Sequence, residues 1–265
     1  MRNRFAFLQR AKVAWDYFLK GTNKLLMMHR SSMLLFCLAL FLPGCASTGN
    51  QVPSNASPPE SDFRISSIAK TDVDAITELH MQEALTHLRA LMEKLYRRNP
   101  REWRKGGNES MEQAVARLFD NGPFVEYQEL NSKKGVACIH LALDPEYEGD
   151  RVFAFVYGLV TMTYGAYNDK SEFFLFDEMD PQKLYNSARN FEIAAWKLSN
   201  ARDADGNLLI LSNESQGSLQ NLSFEREFGK LIANQDMMAK IIAGKTNRSI
   251  ARIIQNLATA KFLPI

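Results

Sequence analysis

The 265-residue sequence predicts an all-α fold, a single globular helical-bundle domain over residues 67–265. Three observations carry that expectation. Apolar residues recur at steps of three and four through most of this region, the period of an amphipathic helix. Short polar joints containing Pro, Gly, Asn or Asp separate the periodic stretches. The most apolar stretch, VFAFVYGLVTMTYGAY from Val152 to Tyr167, is 16 residues long. It falls short of the ~20 residues a membrane span needs and reads as the central buried helix.

The first helix is expected from Asp72 to Arg98. Val73, Ile76, Ala84, Leu88, Leu91 and Leu95 form its buried stripe, with His80 filling the gap. Thr71 or Asp72 caps its start, and Arg97 and Arg98 place cations at the negative end of the dipole before Asn99-Pro100. RNPREWRKGG is a turn, followed by a helix from Glu109 to Phe119 that Asn121-Gly122-Pro123 ends. Phe124 to Leu143 fits either a hairpin about NSKKG or, preferred here, a loop and a short helix. Asp144-Pro145 opens the central helical region, where Gly158 and Gly165 share a face and admit a close neighbour. Asp180-Pro181 opens the next helix, through Leu198, with Pro in the first helical position. The last two helices are expected at Ser223 to Ala243 and Asn247 to Phe262, broken at Gly244. Pro signals at Pro100, Pro145 and Pro181 lie 45 and 36 residues apart, so a short α-solenoid of helical-pair repeats is the alternative architecture.

The folded region carries no G-x-S-x-G, H-E-x-x-H, P-loop or dinucleotide fingerprint, and no catalytic residue is assigned. His80, Glu83 and His87 share one helix face, but the two imidazoles are two turns apart, roughly 10 Å, and read as edge-of-core histidines. Cys138 and His140 lie two residues apart and read as part of the core rather than as a nucleophile pair. Asp203, Asp205, Asn207 and Glu214 match positions 1, 3, 5 and 12 of a calcium loop. Leu208 stands where that loop needs its Gly, so a plain Asp-Gly turn competes with Ca²⁺ binding, and no cofactor is otherwise expected. Lys94, Arg97, Arg98, Arg101, Trp103, Arg104 and Lys105 concentrate positive charge and an aromatic ring. They form the candidate surface for lipid-headgroup phosphates, peptidoglycan carboxylates or an acidic partner.

Upstream, Met33 to Leu42 is an unbroken apolar run of 10 preceded by His29 and Arg30. That length fits the core of a secretory signal, not a membrane span. It closes on Leu42-Pro43-Gly44-Cys45, which resembles the bacterial lipobox, with Pro43 an uncommon residue at its tolerant position. The resemblance to bacterial lipoproteins implies cleavage before Cys45, acylation of its thiol and new amine, and anchorage in a lipid bilayer. Ala46 after the Cys implies outer-membrane delivery, with the domain facing the periplasm. Residues 1–44 are then the signal peptide, and a start at Met27 or Met28 gives it ordinary length. Residues 45–66 form the lipidated Cys and a linker poor in large apolar residues and rich in Ser, Asn and Pro.

The charge balance agrees with this division. The whole chain is +2, but residues 46–265 hold 25 basic and 29 acidic side chains. The folded region is therefore net acidic, and nucleic acid is not expected as a partner. Cys37 lies in the signal, Cys45 is the lipid site and Cys138 stands alone, so stability must come from the core. The expected function is a periplasmic scaffold or accessory factor of an envelope complex or transporter, non-enzymatic, with an envelope protein as partner. A binding module for a small apolar or anionic ligand, or an enzyme of unrecognised class, are the alternatives.

Overall fold

The computed structural model describes residues 71–122, 124–174, 177–213 and 222–265. The expected signal (1–44), Cys45, the expected linker (45–66) and Glu214 lie outside the described residues. Those described form seven α-helices and no strand, an all-α domain.

Helix α1 spans Asp72–Arg98, the range its sequence predicts. Thr71 caps it in a reciprocal box: Thr71 Oγ1 accepts from Asp74 N at 3.2 Å and Asp74 Oδ2 accepts from Thr71 N at 2.8 Å. Ala84, Leu88, Leu91 and Leu95 are buried as expected, but the first turns present Thr77 and Met81 to the core. Val73 is only half-buried and Ile76 is 39% exposed. The stripe is displaced because its polar members are satisfied: Thr77 Oγ1 donates to Val73 O at 2.7 Å and Lys245 pairs with Asp74 at 2.9 Å.

Inside the expected turn lies a short helix, α2 (Glu102–Lys105). Helix α3 (Met111–Phe119) begins after Ser110, whose hydroxyl accepts from Gln113 N. The Glu109 N–H is instead taken by Gln113 Oε1 at 2.6 Å, which starts the helix later than expected. No hairpin forms between 124 and 143. A loop with a single 3₁₀ turn (Gln128–Leu130) leads to α4 (Val136–Ala142).

Helix α5 (Arg151–Ala166) is the central element, and of its residues only Gly165 is not buried. Its cap is Asp150, which accepts from Phe153 N at 2.9 Å, not Asp144 before Pro145. The intervening turn is stapled by Arg151, whose guanidinium donates to the carbonyls of Ala142, Asp144 and Pro145. Around α5 pack α1, α2, α3, α4 and α6 (Pro181–Asn200). A helical-pair solenoid, in which each repeat meets only its neighbours, is therefore not formed.

Helix α7 (Ser223–Thr246) packs on α6 and α1 and runs straight through Gly244. It ends at Asn247, which adopts a left-handed φ of 54°. The expected helix from Asn247 to Phe262 does not exist. Residues 248–265 run without helix across α6, and side-chain amides take up their backbone groups. Gln182 Oε1 accepts from Ala251 N at 2.8 Å and Gln182 Nε2 donates to Ala251 O. Asn190 makes the same two-way pair with Leu263, at 2.7 and 2.9 Å, and Asn186 Nδ2 donates to Pro264 O. Ile250, Ile253, Ile254 and Leu257 satisfy a helical template, but these long-range partners outweigh it.

Candidate functional site

Most of the chemistry-bearing residues are consumed by the fold. His80 Nδ1 lies 2.7 Å from Asn234 Oδ1, and Asn234 Nδ2 donates to the His80 carbonyl. His87 Nδ1 sits 3.2 Å from Glu227, with Glu83 at 3.8 Å from its other nitrogen. Both histidines thus join α1 to α7, and no group of three metal-ligating side chains assembles among the described residues. Cys138 is buried in α4, and its Sγ donates to Lys133 O. Burial pushes its thiol up to about 12, the opposite of what a nucleophile needs. His140 faces outward against the Phe262 ring, 5.2 Å between centroids.

The 203–208 segment is a tight turn. Asp203 Oδ1 accepts from Asp205 N at 3.0 Å and Asn207 N at 2.8 Å, and Gly206 takes the positive φ of 84°. An isolated bridge between Arg202 and Leu208 closes it. The Asp203 oxygens are thus directed at the turn's own amides, which hold its carboxyl below the usual range.

Three members of the basic cluster are engaged in ion pairs. Lys94 neutralises buried Glu227 at 2.9 Å, Lys105 pairs with buried Glu102 at 2.7 Å, and Arg97 pairs with Glu93. Arg101 is exposed, while Arg104 lies over the half-buried Trp103 ring at 4.7 Å. Arg98 is half-buried.

One titratable cluster is deeply buried. Asp150 accepts from Tyr96 OH at 2.7 Å, and Glu102, whose Oε2 accepts from Arg151 N, lies close enough to raise its pKa. Burial pushes the Asp150 carboxyl from 3.8 to about 6, against the opposing hydrogen bonds of Phe153 N and Tyr96 OH. The folded state therefore holds the proton more tightly than the unfolded chain. The contribution of this group is fully present below about pH 4 and is lost as pH rises through about 6. Asp150→Asn keeps a good capping side chain but removes the ionisation. Its stability relative to the parent should improve by roughly 3 kcal/mol between about pH 4 and pH 7, read from denaturant midpoints across that range. A parallel pH dependence in both proteins would refute the assignment.

One open feature is an apolar pocket of about 750 Å³. Its floor is Met162 and Thr161 of α5, and one wall is Val136 and Ala137 at the start of α4. Thr161 Oγ1 accepts from Gly135 N at 2.7 Å and donates to Tyr157 O, so its polarity is spent internally. Phe124 closes another side, edge-on to Tyr164 with centroids 5.5 Å apart. The remaining wall is the C-terminal segment from Phe262 to Ile265, held in place by Asn186 and Asn190. Lys134 and Asp169 put one charge of each sign among the lining, Lys134 lying 3.6 Å from Glu126.

The volume is within the ~300–1,000 Å³ of small-molecule sites. Its residues come from four separated segments, none of which the sequence analysis singled out as a site. The only signal was the apolar run of α5, with the small Gly165 beside Ile265. Comparison with known proteins found no matching family model, no matching curated protein and no matching solved structure.

Proposed function

We propose that this chain is a lipoprotein of the bacterial cell envelope, anchored through acylated Cys45, whose helical domain is a non-enzymatic binding module. It serves as an accessory factor of an envelope complex by holding an apolar group of its partner or ligand. The observation that supports this reading is the apolar pocket. It is open, pre-formed and of ligand size, whereas His80, His87, Cys138 and Asp203 are each engaged by the fold. The lipobox Leu42-Pro43-Gly44-Cys45 and the polar linker support the tether.

The test is photo-crosslinking in cells from a benzoyl-phenylalanine placed at Phe124 on the pocket edge, with mass spectrometry of the adducts. A specific envelope component is expected. Ala137→Trp, which fills the pocket from an exposed position, should reduce its recovery at least ten-fold, the effect of losing ~1.4 kcal/mol or more of binding. Cys45→Ser should abolish metabolic labelling by fatty acid. Adducts unaffected by Ala137→Trp would refute the pocket as the recognition site, and labelling retained in Cys45→Ser would refute the lipid site.

A further inference from the structure

The end of the chain has a second distinctive surface, separate from the pocket. From Met237 to Ile265 the sequence carries five cations, Lys240, Lys245, Arg248, Arg252 and Lys261, and no Asp or Glu. In an otherwise net acidic domain this is a local reversal of sign. Lys245 and Arg248 are answered by Asp74 and Glu178. Lys240, Arg252 and Lys261 are exposed and have no ion pair among the described residues.

The cations accompany an apolar loop tip. Ile254 is 98% exposed, and Ile253 and Leu257 are more than one-third exposed. A fully exposed isoleucine would be unremarkable on a fraying end. This loop is instead fastened on both sides: Gln182 and the Tyr185 hydroxyl hold Ala251 and Ile253, and Asn190 and Asn186 hold Leu263 and Pro264. The tip is presented, not left over.

Beside it, Lys240 of α7 and Arg252 line a cavity of about 520 Å³. Arg189, neutralised by Asp236 at 2.6 Å and Glu192 at 3.0 Å, lines both this cavity and the one against Ile253 and Ile254, so the two lie side by side.

Unpaired cations next to an exposed apolar tip match the two layers of an anionic bilayer surface, phosphate outside and hydrocarbon within. We propose that the 248–261 loop is a membrane contact, in which Ile253, Ile254 and Leu257 enter the interface and Lys240 and Arg252 receive lipid phosphates. The contact does not depend on acylation of Cys45 or on what occupies the pocket. It would lay the domain against the bilayer.

The test uses the full chain carrying Ile254→Trp, reconstituted in vesicles whose acyl chains are brominated. The substituted position is exposed, so the fold is retained. In vesicles containing phosphatidylglycerol, emission from the introduced indole is quenched, measured against the unsubstituted chain with its native tryptophans. In pure phosphatidylcholine the quenching falls away. Arg252→Gln or Lys240→Gln in the same background lowers the docked-to-free ratio roughly five-fold, and added salt does likewise. Equal quenching in neutral and anionic vesicles overturns the phosphate assignment. Quenching in neither overturns the membrane contact, and is the result a protein-docking tip would give.

Discussion

Gly158→Val is expected to destabilise the domain by about 3 kcal/mol, the upper part of the range for overpacking a buried site. Gly158 lies in the middle of α5, where α4 crosses it. A Cβ there would stand 2.8 Å from Gly135 O, 2.8 Å from Ile139 Cγ1 and 2.9 Å from Ile139 N. Two of those three atoms are backbone, so relief requires α4 to move. Even Gly158→Ala should be unfavourable, because a clash with main chain outweighs the ~1 kcal/mol that alanine gains in helix propensity. Gly244 provides the opposite case within the same fold. It is exposed in α7 and a Cβ there meets nothing within 4 Å. Gly244→Ala should therefore stabilise by about 0.5–1 kcal/mol. Denaturant midpoints for the three variants decide the matter. If both alanine variants shift the same way, close approach at Gly158 is not what the glycine is there for. Displacing α4 also moves Val136 and Ala137, so the Gly158 variants should weaken pocket-dependent crosslinks even where they fold.

Glu227→Ala is expected to cost about 2–3 kcal/mol. The carboxylate is 5% exposed and is shared by Lys94 at 2.9 Å, His87 at 3.2 Å and Lys230 at 3.4 Å. Burial alone would raise its pKa, but the hydrogen-bonded Lys94 ammonium and its companions outweigh burial, and the carboxyl lies below the usual range. Removing it takes from Lys94 and Lys230 the carboxylate they share along the α1–α7 seam. Breaking a fully buried pair costs ~3–5 kcal/mol, but Lys94 and Lys230 are 28% and 47% exposed and can rehydrate, which places this case lower. Because the folded pKa is depressed, the stabilisation is present above about pH 4.5 and is lost as pH falls below it. Glu227→Gln should therefore resemble the parent more closely in acid than at neutral pH. A constant deficit across that range would mean that packing, not charge, is what Glu227 supplies.

The helices were legible wherever their ends are written locally. Thr71, and Asp180 with Pro181, are capping residues beside the apolar periodicity they introduce, so α1 and α6 follow from neighbouring residues, whereas α3 is expected two residues early because Ser110 is not recognised as its cap. The central position of α5 follows from its apolar run. Long-range partners were not legible. Asp144-Pro145 looks like a helix start until Arg151 is seen holding the turn that follows it. Ile250, Ile253, Ile254 and Leu257 look like a helix face until Gln182, Tyr185 and Asn190, some 70 residues earlier, are seen engaging the main chain. The pocket was invisible for the same reason, since its last wall is this segment. The patterns at His80 and Cys138 read as core from the sequence and that at Asp203 as a turn competing with Ca²⁺ binding, and the fold uses all three residues structurally. Their side chains are matched to nearby helices and amides, which single residues and spacings do not reveal.

The side-chain amides of α6 have a consequence for how the end of the chain tolerates change. Gln182 and Asn190 hydrogen-bond the N–H and carbonyl of Ala251 and Leu263. What is recognised is peptide geometry, which nineteen of the twenty amino acids supply equally well. At the exposed position 251 the segment is thus tolerant of its own side chain and demanding of a residue far away, on a helix formed much earlier in the chain. Almost any residue can be written at position 251, apart from proline with its missing donor, so long as position 182 keeps its amide. The freedom to vary the end of this protein is held in its middle.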